Sequence, residues 1–170
     1  MTLAAGVVYL NDSSSRLKRD EGAVISRVDT VTEEHVFNST LESVDAAEAI
    51  VLKEAKELGF DEDEEHKIGI SVRECMVNAI VHGNRYNLRK KVHLVVTRSP
   101  ASLEIRIADE GEHFDVSQLP DPLADENLLR HSGRGILLMQ AFMDEFQIRQ
   151  RQPKGTEVRM VKRLATAGSA

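Results

Sequence analysis

The chain has a single cysteine, Cys75, in 170 residues. No intramolecular disulfide can form, which fits a reducing compartment and points to the cytoplasm. The chain also lacks any extended block of Lys and Arg, and its formal charge is −6. That argues against direct nucleic-acid binding as the main role, but not against a protein partner with a basic patch. No apolar run approaches the ~18 residues of a membrane span. Met1 to Leu10 is partly apolar, but no basic residue precedes it, so it makes a poor signal peptide. Internal repeats are absent as well. What remains is ordinary for one globular domain with tails, with a hydrophobic content of 41%.

The most informative stretch is helical, from Asp63 to about Val81. At about 100° per residue, Glu74, Asn78 and His82 line up at i, i+4 and i+8, with Ser71 one turn earlier. Ile68, Val72, Cys75 and Ala79 flank one edge of this stripe, and Ile70, Val77 and Val81 flank the other. Met76 and Ile80 fill the remaining face, so the helix is apolar nearly all round and is predicted to be buried. The polar stripe then falls in the middle of an inward face. Buried carboxylates and amides are costly unless paired or used. A carboxylate and an amide one turn apart suit a base beside a hard-metal ligand. A polar core network, or a helix edge that meets water, would present the same pattern.

In chain order, residues 1–21 read as a tail, with a short strand around Val7-Val8-Tyr9-Leu10. One or two strands are expected between Ala23 and Ser39. Leu41 to Leu58 is predicted helical, with Ser43 as N-cap and Gly59 as the left-handed residue after its end. Asp61-Glu-Asp-Glu-Glu places acids at the start of the next helix, where the dipole favours them. That helix should end at His82-Gly83-Asn84, with Gly83 and Asn84 supplying left-handed residues. Val92–Arg98 and Leu103–Ala108 read as an antiparallel hairpin. The second strand runs into Asp109-Glu-Gly111, a carboxylate at a strand end beside a glycine. Residues 116–132 lack steady periodicity and read as a lid.

Ser132-Gly133-Arg134-Gly135-Ile136 opens a further helix. Glycines there leave N–H groups for an anion, and Arg134 has the fork geometry for phosphate. The pattern is neither a Walker A loop nor a dinucleotide fingerprint. Glu145–Gln150 and Thr156–Lys162 are strands around a Pro153-Lys-Gly155 turn, and residues 165–170 are tail. His82, His93 and His131 have no metal-ligand spacing.

Taken in order, four motifs are specific. Glu-x-x-x-Asn-Ala-x-x-His-Gly-Asn, Asp-x-Gly-x-x-Phe-Asp, Gly-Arg-Gly-Ile-x-Leu-Met and Gly-Thr-Glu-Val resemble the ATP-binding domain of the GHKL superfamily. The short lid and the lack of a histidine-phosphotransfer helix narrow the resemblance to the anti-sigma factor serine/threonine kinases, over about Val36 to Leu164. It implies a Bergerat-type α/β sandwich, with a mixed, mainly antiparallel sheet under a layer of helices, over residues 22–164.

The resemblance also implies roles. Glu74 matches the general base and Asn78 the Mg²⁺ ligand. Asp109 matches the acceptor for the adenine amino group, with Gly111 letting the base approach. Gly133 and Gly135 match the phosphate-cradling glycines, and Thr156 a residue near adenine. His82, Arg134 and Ile136 are counted with the ATP-binding residues. His113 stands where the family has its second glycine, and a side chain there is expected to reshape the pocket without abolishing it. The implied cofactors are ATP and Mg²⁺. The implied partners are a small antagonist protein that is phosphorylated, a sigma factor or similar regulator, and a second copy of the chain. A non-catalytic nucleotide-binding module and a switch kinase of a signalling complex are the alternatives.

Overall fold

The computed structural model describes residues 6–8, 30–112 and 131–165, with residues 6–8 and 131–133 by backbone alone. The strands are β1 (Gly6–Val8), β2 (Val31–Asn38), β3 (Lys91–Ser99), β4 (Ser102–Ala108), β5 (Glu145–Gln150) and β6 (Thr156–Arg163). The helices are α1 (Glu42–Leu58), α2 (Glu62–Val77) and α3 (His131–Phe142). A π-helical turn, Asn78–Gly83, extends α2. The strands form one sheet in the order β1-β2-β3-β4-β6-β5. Each of the five pairings is antiparallel. The α/β sandwich is therefore as expected, and the sheet is antiparallel throughout the described strands rather than mixed.

Period-two patterning builds the sheet face. Val92, Leu94 and Val96 of β3 and Leu103, Ile105 and Ile107 of β4 are all buried, while their alternates, the buried Ala108 excepted, are half-exposed. Register then aligns Leu94 with Ile107, and Ile105 with Met160 of β6. Onto this face pack Val44, Ala47 and Val51 of α1, Ile68, Val72 and Met76 of α2, and Met139 of α3. Cys75 is buried in the same core. Burial pushes its thiol pKa up, and the nearby Asp109 charge adds to this, so Cys75 stays an inert thiol.

The helix termini differ from the sequence expectation in two places. Ser43 is not the N-cap of α1; Leu41 occupies that position without a side-chain cap bond. Ser43 lies in the first turn, where its hydroxyl donates to the Asn38 carbonyl at 2.8 Å and ties the helix to the end of β2. Gly59 does close α1 in the left-handed region, at φ 95°. Asp61 caps α2 by accepting from the Glu64 N–H at 2.8 Å.

The second difference is the end of α2. Asn84 has φ −80°, and Gly83 lies inside the π-turn. The left-handed residues are Arg85 (φ 53°) and Tyr86 (φ 56°). Asn84 donates its N–H to the Ala79 carbonyl at 2.7 Å, an i→i−5 bond. Gly83 and Asn84 are used for packing against the next motif, so the turn of direction falls on the residues that follow.

Candidate functional site

The π-turn sets which side chains reach the site. A wider turn rotates successive residues by less than 100°, so a stripe drawn on an ideal α-helix drifts. Ser71 is fully buried and hydrogen-bonds back to the Lys67 carbonyl at 2.9 Å. Glu74 and Asn78 are half-buried, and His82 is exposed. The stripe thus runs from the core outward to a rim, instead of lying in the middle of an inward face.

Neither Glu74 nor Asn78 makes a side-chain hydrogen bond or ion pair among the described residues. A polar core network would have paired them. The carboxylate instead faces α3. A Cβ added to Gly135 would stand 2.5 Å from Glu74 Oε2, so the glycine allows the two helices to close on the acid.

Asp109 directly follows β4 and is 5% exposed. Its Oδ1 accepts from the Gly111 N–H at 2.8 Å and the Thr156 N–H at 3.3 Å. Its own N–H donates to the Thr156 carbonyl at 3.0 Å. Burial pushes its pKa up, against the two N–H bonds and the nearby Lys90 and Arg151 charges. Three glycines surround it. A Cβ on Gly83 would lie 2.5 Å from the carboxylate, one on Gly111 2.2 Å from the Gly83 carbonyl, and one on Gly155 2.0 Å from the Asp109 carbonyl. The ends of α2, β4 and the β5–β6 turn therefore meet with backbone against backbone at one carboxylate.

Asn84 holds this junction in place. It is 1% exposed. Its Nδ2 donates to Ser39 Oγ and to the Lys91 carbonyl, both at 2.9 Å, and its Oδ1 accepts from the Glu110 N–H at 2.9 Å. The Glu110 carboxylate in turn accepts from the Lys91 N–H at 3.0 Å and meets His93 Nε2 at 2.8 Å. Asn84→Ala removes the partner of the Glu110 N–H and a donor to the Lys91 carbonyl and to Ser39 Oγ, which keeps its bond to the Lys90 carbonyl, and should destabilise the fold by roughly 2–4 kcal/mol, measured by chemical denaturation.

Residues 37–162 match the family described as histidine kinase-like ATPase domain. The chain belongs to the histidine kinase-like ATPase family. It is 34% identical over 105 residues to the anti-sigma F factor of Bacillus subtilis (strain 168), covering 61% of this chain and 72% of that protein. It is 30% identical over 131 residues to the anti-sigma F factor of Oceanobacillus iheyensis, covering 76% and 90% respectively.

Within this ATPase fold the expected site residues form two groups. Glu74 and Gly135 meet across α2 and α3, and Asp109, Gly111 and Thr156 meet at the end of β4. The π-turn carrying Asn78 and His82 runs from the first group to Gly83 in the second. Gly133 lies in the first turn of α3, and Arg134 is exposed on it with an interaction partner of its own. Ile136 is half-buried and packs against the core. His113 and residues 116–130 of the expected lid lie outside the described residues.

Gly83, Asn84 and Gly155 complete the site without having been singled out as part of it. Their motifs, His-Gly-Asn and Gly-Thr, were visible. The missing signal was their convergence on Asp109, which is a tertiary fact.

Proposed function

We propose that this chain is an ATP-dependent serine/threonine protein kinase acting as an anti-sigma regulator. In this reading Mg²⁺-ATP binds between α2, Asp109 and the start of α3. The observation that carries the proposal is the half-buried Glu74 carboxylate facing Gly135, with Asn78 one turn on, neither of them paired among the described residues. Such groups are costly in a fold and cheap in a site that a ligand completes.

The residues fit the ligand. Among the described residues no cluster of three metal-ligating side chains occurs. Asn78 alone suits Mg²⁺, which commonly takes few protein ligands and shares substrate phosphates. Mg²⁺-ATP, when bound, supplies the phosphoryl group and neutralises its charge. Asp109 would accept from the adenine amino group, and its two N–H bonds hold the carboxylate still for that. Glu74 would take the proton of an incoming Ser or Thr hydroxyl. Gly133, Gly135 and Arg134 would lie toward the phosphates. The kinase domain would span 22–164, with a lid at 116–132.

The likeness to anti-sigma F factors supports a sigma factor and a small antagonist protein as partners. A homodimer, which the motif resemblance implies, is the proposed assembly. The test is calorimetry with Mg²⁺-ATP, then transfer of labelled phosphate to an antagonist protein from the same genome. No nucleotide binding by the wild type would end the proposal. Binding without transfer would favour a sequestering module.

Asp109→Asn should weaken ATP binding by about 1–3 kcal/mol, because a charged acceptor is lost. The ligand-free protein should melt no lower at neutral pH. A buried acid whose folded pKa is raised costs stability while ionised, and that cost is relieved as pH falls through the raised value. The same sign makes ATP affinity fall on acidification above the ordinary aspartate range, as a calorimetric pH series would register.

A further inference from the structure

We propose that the loop from Asn84 to Lys91 is a docking surface for an acidic segment of a partner protein whose apolar side chains seat on Tyr86 and Leu88. This goes beyond the kinase reading, since none of the loop's exposed side chains belongs to the cleft.

Tyr86 is 51% exposed and Leu88 64%, placing two large apolar side chains within one short loop. Around them stand Arg85, Arg89, Lys90 and Lys91. Elsewhere Arg73, Arg98, Arg106, Arg149, Arg159 and Arg163 all touch carboxylates. Among the described residues, Arg85, Arg89 and Lys90 have no ion pair. Among the described residues the charge of this loop is left uncompensated, in a chain whose net charge is −6.

The loop is also shaped. Arg85 and Tyr86 are consecutive left-handed residues, and neither is glycine. The Tyr86 N–H donates to the Ile80 carbonyl at 3.0 Å, the Asn87 N–H to the Asn84 carbonyl at 3.1 Å, and the Lys90 N–H to the Asn87 carbonyl at 2.9 Å. Asn87 Oδ1 accepts from the Arg89 N–H at 3.0 Å. Buried Asn84 anchors the whole to Ser39 and Lys91. Little ordering entropy would be lost on binding.

Charge complementarity selects the occupant. Arg85, Arg89 and Lys90, with Lys91 held by Asn38 Oδ1 at 2.6 Å, make with the tyrosine and the leucine a small basic rim around apolar anchors, the pattern of a protein contact. A nucleic acid would meet the repulsion of the acidic chain beyond the loop and would have no use for an exposed leucine. Asn84 accepts from the Glu110 N–H and the Lys91 N–H donates to the Glu110 carboxylate, so both ends of the loop meet the residue next to Asp109.

The test uses the full chain and two fluorescent peptide pools of equal length. One alternates Asp or Glu with Leu or Phe, and the other carries Ser in place of the acids. Anisotropy at physiological salt should show the acidic pool binding at least about tenfold more tightly. The double substitution Arg85→Glu with Arg89→Glu should lose that preference and turn it toward a Lys-bearing pool. Leu88→Ser should weaken binding of the acidic pool while leaving ATP binding as in wild type, which also reports an intact fold. The proposal is overturned if the acidic pool does not bind, if the Ser pool binds equally well, or if the reversed chain keeps the wild-type preference. A DNA duplex or phosphatidylserine vesicles that bind more tightly than the acidic pool, and lose binding in the reversed chain, would also overturn it, in favour of a polyanion.

Discussion

Glu74→Gln is expected to lower phosphate transfer to the antagonist protein by roughly 10²–10⁴-fold, the usual range for removing a general base. The substitution keeps the volume and one oxygen of the carboxylate. Glu74 makes no side-chain hydrogen bond or ion pair among the described residues, so no internal partner is orphaned. Stability should therefore change by less than about 0.5 kcal/mol. ATP affinity should also stay near wild type, because the lost group acts on the hydroxyl and not on the nucleotide. A variant that transfers phosphate at the wild-type rate would remove Glu74 from the chemistry. A variant that unfolds would restore the structural reading of the polar stripe.

Gly155→Ala is expected to do the greatest damage to the fold for one added methyl group. Gly155 sits at φ 106°, and a Cβ there would stand 2.0 Å from the Asp109 carbonyl. Both the backbone conformation and the space forbid a side chain. Relief requires moving the turn away from Asp109, which breaks the bond from the Asp109 N–H to the Thr156 carbonyl and the one from the Thr156 N–H to Asp109 Oδ1. The loss should be about 3 kcal/mol or more in chemical denaturation, with ATP binding reduced alongside it. Gly59 is the control. It has φ 95° at the end of α1, with nothing within 4 Å of the added Cβ. Gly59→Ala should cost only about 1 kcal/mol and leave nucleotide binding alone. Equal effects at the two sites would mean that strain, and not contact with Asp109, explains Gly155.

The sequence by itself determined the elements and most of their order. Alternation in Val92–Val96 and Leu103–Ile107 specifies strands with one buried face, because a pleated strand turns every second side chain to the same side. Gly59 marked the end of α1, and the acidic run from Asp61 the start of α2, through local rules that need no tertiary context. The motifs around Glu74, Asn78 and Asp109 were legible for the same reason, since each is a short run with its own chemistry. Tertiary structure decided the rest. An ideal helical wheel carries Glu74, Asn78 and His82 inward together, but the π-turn that packing imposes leaves His82 exposed. Gly83 and Asn84 looked like a helix exit, because their conformational freedom is all that a local rule can weigh. The fold spends that position on contact instead, with Gly83 against the Asp109 carboxylate and Asn84 bonded to Ser39, Lys91 and Glu110. Close approach between segments 26 to 46 residues apart, from Gly83 and Gly155 to Asp109 and Gly111, leaves no periodic trace along the chain. The cations of the 84–91 loop likewise look unremarkable in sequence, and only the folded surface separates those that have carboxylate partners from those that do not.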